Sequence, residues 1–411
     1  MDPRPHLARR AADISPFRVV EMMEQAWRVE ASGRSVIHLV AGEPDFGTPA
    51  PVVQAAARAM AGGHLHYTPA LGVPELRDAL AAYYAERLGV EVPRGRIVVT
   101  TGASAALLLA FGATVDPGGE VLVTDPGYPC NANLVRLYGG IPVGVPVDAG
   151  TGYQPGPGTL DAARTGATTG VLVGTPANPT GAVMPAADLA AVIGWAAATG
   201  LTCYVDEVYG ELVYDRAPST AASVSDDVFV IGSFSKTFGM TGWRLGWLVC
   251  PDWALDAVRR LAQNMYISPP APAQAAGLAA LQPEVWDEVA HRVEILRRRR
   301  DVIVAGLRAL GFDVPRVPEG AFYAYAGCGA LCEDSSELVD RLLHDAGVAV
   351  APGNDFGAHR AAGHVRFSYA ASMEQIEEAL ERMARLVVRL QGPVVVSGRD
   401  CSRGRRRWTD R

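Results

Sequence analysis

The sequence predicts an α/β protein in which a mainly parallel β-sheet is covered by helices and followed by a smaller α+β unit. Helical patterns alternate with short apolar segments from Ala50 onward, as in sheets whose parallel strands are joined by helices. A long helical pattern begins near Glu284, and shorter strand-like and helical segments follow it. The chain has 411 residues, 49% of them hydrophobic, which is enough to bury a large core.

The N-terminal segment, residues 1–45, is too short to fold alone. It contains a helical pattern with Val20, Met23 and Trp27 as apolar members, followed by a strand-like run at 36–40. We therefore expect this segment to join the small C-terminal unit.

Six short apolar segments are predicted to form strands of the large sheet, which we assign to residues 46–283. Most are rich in β-branched residues, and they are too short for helices. Their ranges are 97–100, 121–124, 171–174, 201–205, 228–231 and 245–249.

Residues 284–390 are predicted to contain a linking helix and the small C-terminal unit. The predicted helices are 284–310, 335–345 and 373–390, and the predicted strands are 321–325, 348–351 and 365–369. The arginine run at 297–300 is interpreted as a solvated helix face. Residues 391–411 are basic, with little to bury, and are predicted to form a disordered tail.

Composition argues against several classes of function. A net charge of −7 gives no overall attraction to nucleic acid or to an anionic membrane. The six cysteines form no CxxC pair and no cysteine–histidine ligand spacing, so neither a disulfide framework nor a metal site is indicated. No signal segment or membrane span is apparent. We expect a cytoplasmic protein that acts on small molecules.

Lys236 is the residue around which the functional prediction is built. It lies in the loop 233–244, directly after a predicted buried strand. Desolvation there lowers the pKa of the lysine and leaves a nucleophilic amine that can form a Schiff base. Ser235 and Arg244 nearby are suited to a phosphate. Taken alone, the stretch is also compatible with a surface lysine beside a flexible loop.

Polar residues follow other predicted strands, at the sheet edge where α/β proteins bind ligands. The turn 101–104 begins a helix whose free N–H groups suit a phosphate. Tyr128 is able to stack on a flat ring, and the amide of Asn178 is able to bond to a ring oxygen. Each feature also has an ordinary structural role, as a helix cap, a core aromatic or an Asx turn.

Asp206 ends an otherwise apolar strand, and a buried carboxylate there needs a cationic partner. A protonated pyridine nitrogen would serve, as would an arginine from a neighbouring strand. Pyridoxal phosphate (PLP) requires such a set at one edge of a sheet: an amine, an acid, an amide, an aromatic ring and a phosphate cradle. The sequence therefore predicts a PLP site.

From about residue 14 to 390 the chain also resembles the fold-type I PLP-dependent aminotransferases of class I/II. The motifs that carry the resemblance are Tyr67-Thr68-Pro69 with Gly72, Asn178-Pro179-Thr180-Gly181, Asp206-Glu207-Val208-Tyr209, Ser233-x-Ser235-Lys236 and Gly242-Trp243-Arg244-Leu245-Gly246. The resemblance implies a large PLP-binding domain with a sheet of the seven-stranded type and a smaller α+β domain. It also implies transfer of an amino group from an L-amino acid to a 2-oxo acid by a ping-pong mechanism.

The resemblance assigns roles to individual residues. Lys236 would bind the cofactor covalently and act as the base, and Asp206 would pair with the pyridinium nitrogen. Asn178 and Tyr209 would bond to the ring hydroxyl oxygen, and Tyr128 would stack on the ring. The phosphate would be held by Ala103, Ser104, Ser233, Ser235 and Arg244.

Three further residues are implied in contacts with the substrate or with a second subunit. Arg366 would grip the substrate α-carboxylate, with Gly42 and Asn178 beside it, although an ordinary ion pair is an alternative role for this arginine. The site would lie at a homodimer interface, so that Tyr67 reaches the phosphate of the other subunit.

The sequence leaves the substrate side chain and the bond that is broken undefined. Ile14, Phe17 and Tyr266 are candidates to line a pocket for a neutral or hydrophobic side chain, and are equally suited to a core. Another PLP enzyme on the same fold, such as a β-lyase, decarboxylase or synthase, is one alternative. A non-catalytic ligand-sensing domain is another.

Overall fold

The computed structural model describes residues 7–63 and 65–391. Its strands, in chain order, are β1 Ile37–His38, β2 Ile97–Thr100, β3 Glu120–Asp125, β4 Ile141–Pro146, β5 Thr168–Gly174, β6 Thr202–Asp206, β7 Val228–Ser233, β8 Gly246–Val249, β9 Tyr323–Gly327, β10 Val348–Ala349, β11 Ala351–Pro352 and β12 His364–Ser368. Its α-helices are α1 Arg9–Asp13, α2 Arg18–Ala31, α3 Ala50–Ala61, α4 Pro74–Leu88, α5 Ala103–Thr114, α6 Pro129–Leu137, α7 Pro157–Ala163, α8 Ala186–Ala198, α9 Leu255–Met265, α10 Ala271–Ala280, α11 Pro283–Ala309, α12 Ser335–Arg341 and α13 Met373–Gln391.

The large sheet has seven strands in the order β2-β8-β7-β6-β5-β3-β4. Only β8 runs antiparallel to its neighbours, β2 and β7, and the remaining pairs are parallel. The prediction of a mainly parallel α/β sheet is therefore confirmed. All six predicted strands are present, with ends that differ from the prediction by three residues or fewer.

Strand β4 was not predicted from the sequence. It contains Pro142, Gly144 and Pro146, which are unfavourable inside a sheet. It pairs only with β3 and forms one edge of the sheet. A proline has no N–H, but on the outer side of an edge strand no neighbouring strand is present, so no hydrogen bond of the sheet is lost. The tertiary position of the strand therefore makes these residues acceptable.

A strand of the N-terminal segment pairs with a strand from the C-terminal part of the chain. Strand β1 pairs in parallel with β10, and β9, β11 and β12 form an antiparallel sheet beside them. The predicted strand 348–351 is divided into β10 and β11, and the predicted 321–325 lies two residues later as β9. Helix α12 ends at Arg341, where a π-helical turn, Leu342–Ala346, replaces the end of the predicted helix.

The domain boundaries remain predictions, and the predicted basic tail lies outside the described residues except for Gln391, which ends α13. Within the described residues, no helix is long and apolar enough to cross a membrane. No cluster of three metal-ligating side chains occurs in that same part of the chain.

The apolar residues of the predicted helical pattern differ in their burial on α2. Met23 is partly buried against the core, whereas Val20 is 44% and Trp27 is 54% exposed, and Met22 and Ala26 are buried. The sequence shows two apolar stripes on this helix, and only packing decides which one is covered. Val20, on the exposed side of α2, lies at the functional site.

The arginine run of α11 is not a uniformly solvated face, which corrects the prediction. Arg299 and Arg300 are buried. Arg299 donates two hydrogen bonds to the carboxylate of Asp45, at 2.7 and 2.8 Å, and Arg300 pairs with Asp215. Burial is acceptable for these guanidinium groups because carboxylates from distant loops neutralise them.

Candidate active site

A cavity of about 350 Å³ lies where the carboxyl ends of the large-sheet strands meet the small antiparallel sheet. Twelve of the thirteen predicted site residues line it. These are Gly42, Ala103, Ser104, Tyr128, Asn178, Asp206, Tyr209, Ser233, Ser235, Lys236, Arg244 and Arg366. The exception is Tyr67, which is 82% exposed and outside the cavity. Its predicted contact with a second subunit stays a prediction.

Lys236 follows the buried strand β7 and extends into the cavity, where its Nζ donates a hydrogen bond to the carbonyl oxygen of Gly42 at 2.7 Å. The pKa of Lys236 is lowered to about 8, mainly by burial and also by the nearby charges of Arg244 and Arg366, against the opposing effect of Glu43 and Asp206. The amine is therefore easily obtained in its nucleophilic form.

Lys236 is also the only lysine in the 411-residue chain, since every other residue of the Lys+Arg total is an arginine. An arginine cannot form a Schiff base, and a guanidinium is not deprotonated in proteins. This compositional signal identifies the residue independently of its loop, and our motif-based prediction had missed it.

Asp206 ends strand β6 at the floor of the cavity. Burial raises the pKa of its carboxyl to about 6, while a hydrogen bond from the Val208 N–H at 3.1 Å and the charge of Lys236 lower it. Among the described residues, no arginine or lysine forms an ion pair with Asp206. The alternative of an arginine partner is therefore unsupported, and the carboxylate is available to a cation on a ligand.

The start of α5 and the Arg244 guanidinium form the expected phosphate cradle. The N–H groups of Ala103 and Ser104 begin the helix and have no acceptor inside it. Gly102, at φ +85°, precedes them, and a Cβ at that position would lie 2.7 Å from Nη2 of Arg244. Glycine is thus required both for the backbone conformation and for the close approach of the guanidinium.

Arg366, on β12, is 1% exposed. Its Nη1 donates to Oδ1 of Asn178 at 3.0 Å, its Nη2 donates to the Val40 carbonyl at 2.7 Å, and its buried Nε has no hydrogen-bond partner among the described residues. The described residues contain no carboxylate paired with this guanidinium, so the ion-pair alternative is unsupported. A buried cation without a counter-ion is suited to a substrate carboxylate.

Tyr323, on β9, is a site residue that the sequence did not reveal. Its hydroxyl lies 2.8 Å from that of Tyr209, and its ring packs beneath Arg366, with the guanidinium carbon 4.4 Å from the ring centre. No local pattern distinguishes Tyr323 from Tyr325 in the same strand. The contact with Tyr209 joins residues far apart in the sequence.

Of the three candidates for the pocket wall, one lies at the cavity and two do not. Phe17 lines the cavity and meets Tyr128 edge-on, with ring centres 5.9 Å apart. Ile14 and Tyr266 are not part of its lining, which corrects that prediction. The lining also includes residues that the sequence does not single out for the site, among them Glu43, Thr241, Cys130, Leu134, Val20, Met23 and Leu107.

The residues present fit PLP. A phosphate meets the free N–H groups of α5 and Arg244, and a protonated ring nitrogen gives the buried Asp206 the cation that the protein itself does not supply. Lys236 supplies the amine that the cofactor aldehyde requires.

Comparison with known proteins identifies the family of the chain. Residues 34–383 match the family model described as aminotransferase class I and II. The chain is 41% identical over 374 residues to the valine–pyruvate aminotransferase of Mycobacterium tuberculosis, covering 90% of this chain and 96% of that one. It is 38% identical over 388 residues to the aspartate/prephenate aminotransferase of Thermus thermophilus, covering 93% and 99%. The matches give no support to a lyase, decarboxylase, synthase or sensor.

Solved structures give the same result. A crystal structure of an aminotransferase from Mycobacterium tuberculosis superposes with a TM-score of 0.90 at 40% identity, covering 93% of this chain and 99% of that chain. The aspartate aminotransferase from Thermus thermophilus with maleate superposes with a TM-score of 0.89 at 37% identity, covering 94% and 100%. The chain therefore belongs to the class I and II aminotransferases, a PLP-dependent family of fold type I.

Proposed function

We propose that Lys236 binds PLP and moves the proton during transamination, and that the cavity residues act in the roles assigned from the sequence. The observation that carries this proposal is that one cavity holds a lysine of lowered pKa, a buried aspartate without a protein cation and a buried arginine without a counter-ion. Each group lacks the partner that the cofactor or an amino acid would bring.

The chemistry that PLP supplies when bound is an electron sink for the bonds at the substrate Cα. The Asp206 carboxylate keeps a proton on the ring nitrogen, because a nearby anion favours the charged form. Arg366 orients the substrate through its α-carboxylate, and its existing bond to Asn178 fixes the guanidinium plane.

Lys236 is the proton carrier in this scheme. Its Nζ takes the α-proton of the bound amino acid and later returns a proton, which requires an amine that is uncharged near neutral pH. Tyr209 and Asn178 hold the ring hydroxyl oxygen; with Oδ1 of Asn178 committed to Arg366, its Nδ2 is the free donor. The product is a 2-oxo acid, and a second 2-oxo acid takes up the amino group, so we expect ping-pong kinetics.

We also propose a homodimer. Exposed apolar side chains occur on α3, on the loop after it and at the end of α9; these are Val53, Met60, Leu65, Tyr67, Met265 and Ile267. Helix α3 packs against α10, and the Thr68 N–H donates to Ser268 Oγ at 3.4 Å, which places the segments side by side. Such an apolar patch is typical of a subunit interface. Light scattering coupled to size exclusion tests it, and a monomer at micromolar concentration would contradict it.

A cytoplasmic location is part of the same proposal. Its support is the set of free cysteines in the described chain, of which Cys203, Cys250 and Cys328 are buried. Reduced cysteines fit a reducing compartment. Cell fractionation with an antibody to the native protein tests the location.

The decisive experiment uses the unique lysine. The purified protein, reconstituted with PLP, is reduced with borohydride, and the digest is searched for the modified peptide. Because Lys236 is the only lysine, the N-terminal α-amine is the only other amine available to trap. We expect the label on Lys236, and a parallel loss of the visible absorbance when an amino acid is added before reduction.

Three outcomes would contradict the assignment. A colourless protein that does not take up PLP would contradict the cofactor site. Label at the N-terminus alone would contradict the role of Lys236. Release of ammonia or carbon dioxide without formation of a 2-oxo acid would indicate a lyase or a decarboxylase.

A further inference from the structure

The names of the relatives differ in the polarity of the substrate side chain, since one is a valine and another an aspartate aminotransferase. The residues that line the cavity of this chain indicate which polarity of side chain it accepts. One of its walls is formed by Phe17, Val20 and Met23 of the segment that begins α2, and Leu107 and Leu134 contribute from α5 and α6. The wall therefore consists of aromatic and aliphatic side chains.

The exposure of Val20 supports a role for this wall. Val20 is 44% exposed although it lies on a helix whose other face is buried, and it is one of the residues that line the cavity. An apolar side chain that is left open inside a binding cavity gains when an apolar ligand covers it.

The wall is held in place by two contacts at the start of α2. The carboxylate of Asp355 accepts hydrogen bonds from the N–H groups of Arg18 and Val19 at 3.0 and 3.1 Å, which fixes the first turn. The Phe17 ring lies edge-on against Tyr128, the residue predicted to stack on the cofactor. The apolar wall thus stands next to the reacting centre and is rigidly positioned.

The charges in the cavity oppose a second carboxylate. Lys236, Arg244 and Arg366 are the cations of the lining as far as the structure describes it, and each has a role in binding the aldehyde, the phosphate or the α-carboxylate. The remaining charged groups are the carboxylates of Glu43 and Asp206. Glu43 accepts a hydrogen bond from the Thr241 hydroxyl at 2.9 Å, and among the described residues it forms no ion pair.

We propose that this site accepts amino acids with apolar side chains and discriminates against acidic ones, with Phe17, Val20 and Met23 as specificity-determining residues. The inference rests on the proposed function, because it uses the roles of the three cations. A side-chain carboxylate placed against this wall would lose hydration, meet no free cation and face Glu43.

The test measures binding of unreactive substrate analogues to the PLP-loaded enzyme. Isocaproate has one carboxylate and an apolar tail, and glutarate has a second carboxylate in place of the tail. Dissociation constants come from the change in the visible spectrum and, independently, from the shift in melting temperature. We expect isocaproate to bind about tenfold or more tightly, since a pocket discriminates by about 10- to 200-fold for one apolar group.

Equal binding of the two acids, or tighter binding of glutarate, would overturn the inference. Tighter binding of glutarate would mean that a second subunit or a moved side chain supplies a cation. In either case the visible absorbance of the loaded enzyme shows that PLP is bound, so the proposed function is not contradicted. A protein that does not take up PLP at all would instead remove the proposed function, and the inference with it.

Two substitutions test the wall itself. Val20→Lys adds a cation at an exposed position, and we expect the isocaproate-to-glutarate affinity ratio to fall about tenfold. The matched control is Val388→Lys, the same change at a 69% exposed valine of α13, which should leave the ratio unchanged.

If Val20→Lys does not fold, Met23→Gln replaces it, because Gln has nearly the same shape as Met. We expect this variant to weaken isocaproate binding by about threefold or more and to leave glutarate unaffected. An unchanged ratio in the folded variants would overturn the assignment of these residues.

Discussion

The hydroxyl groups of Tyr209 and Tyr323 lie 2.8 Å apart, buried between the large sheet and the small antiparallel sheet. Tyr209 follows β6 and is predicted to hold the cofactor ring, whereas Tyr323 lies on β9 beneath Arg366. This hydrogen bond therefore joins the residue proposed to position the cofactor to the strand beneath Arg366, the arginine proposed to bind the α-carboxylate. It gives the two sheets a fixed relationship at the point where the reaction takes place.

Tyr323→Phe removes the shared hydrogen bond and keeps the ring under Arg366. We expect kcat to fall about fivefold and the protein to lose about 1 kcal/mol of stability, because the buried Tyr209 hydroxyl is left without a partner. KM should change little, since Arg366 keeps both of its hydrogen bonds.

The matched control for this prediction is Tyr214→Phe. It removes another buried hydroxyl, one that bonds to the Ala321 carbonyl away from the cavity. Steady-state kinetics and thermal melting are compared for both variants. Equal effects on kcat would mean that the Tyr323 hydroxyl has only a structural role.

Asp206→Asn is expected to stabilise the cofactor-free protein while weakening PLP binding. The folded-state pKa of Asp206 is raised to about 6 from an ordinary value of 3.8, so between these values the folded protein binds more protons and stability falls as pH rises. Above about pH 6 the carboxyl is ionised, and the full free-energy cost of burying its charge is present. The neutral amide removes a free-energy cost of about 3 kcal/mol at neutral pH, which is the energetic equivalent of the raised pKa.

Melting temperature as a function of pH checks this prediction. The stabilisation should shrink as the pH falls from 6 toward 3.8, where the wild-type carboxyl becomes protonated. The control is Asp161→Asn, because that aspartate is on the surface and its side chain is 58% exposed. A variant that melts below the wild type at neutral pH would contradict the account.

The pH dependence of PLP attachment reports the state of Lys236. Only the uncharged amine attacks the aldehyde, and burial lowers the pKa of Lys236 to about 8 from 10.5. The attachment rate of the cofactor-free protein should therefore rise with pH and level off above about 8. Stopped-flow absorbance measures it, and a rise that continues to a midpoint near 10.5 would show that the lysine is not desolvated.

Arg366→Lys is expected to raise KM for the amino acid by about 10- to 100-fold with a smaller change in kcat. A lysine cannot bind the α-carboxylate with two parallel hydrogen bonds, and such charged bonds contribute about 1.5–3 kcal/mol. Arg308→Lys is the control, because in the part of the chain that the structure describes this arginine bonds only to the Val314 carbonyl, outside the cavity. A variant with unchanged KM would show that the carboxylate binds elsewhere.

Local sequence determined much of this protein. The short β-branched runs formed strands where predicted, because strand propensity and burial depend mainly on a few consecutive residues. The polar residues that follow β2, β3, β5, β6 and β7 came together in one cavity, because the carboxyl ends of parallel strands meet at one edge of a sheet. Lys236, Asp206 and Asn178 are positioned in this way.

Only the tertiary structure decided the features that depend on residues far apart in the chain. It selected which stripe of α2 is buried and left Val20 facing the cavity, it buried Arg299 against Asp45, and it placed Tyr323 against Tyr209. Periodicity specifies which residues share a face, but the neighbour that covers the face is supplied by another part of the fold. The chemistry of the site was therefore readable from the sequence, whereas of the wall proposed to select the substrate only Phe17 was predicted.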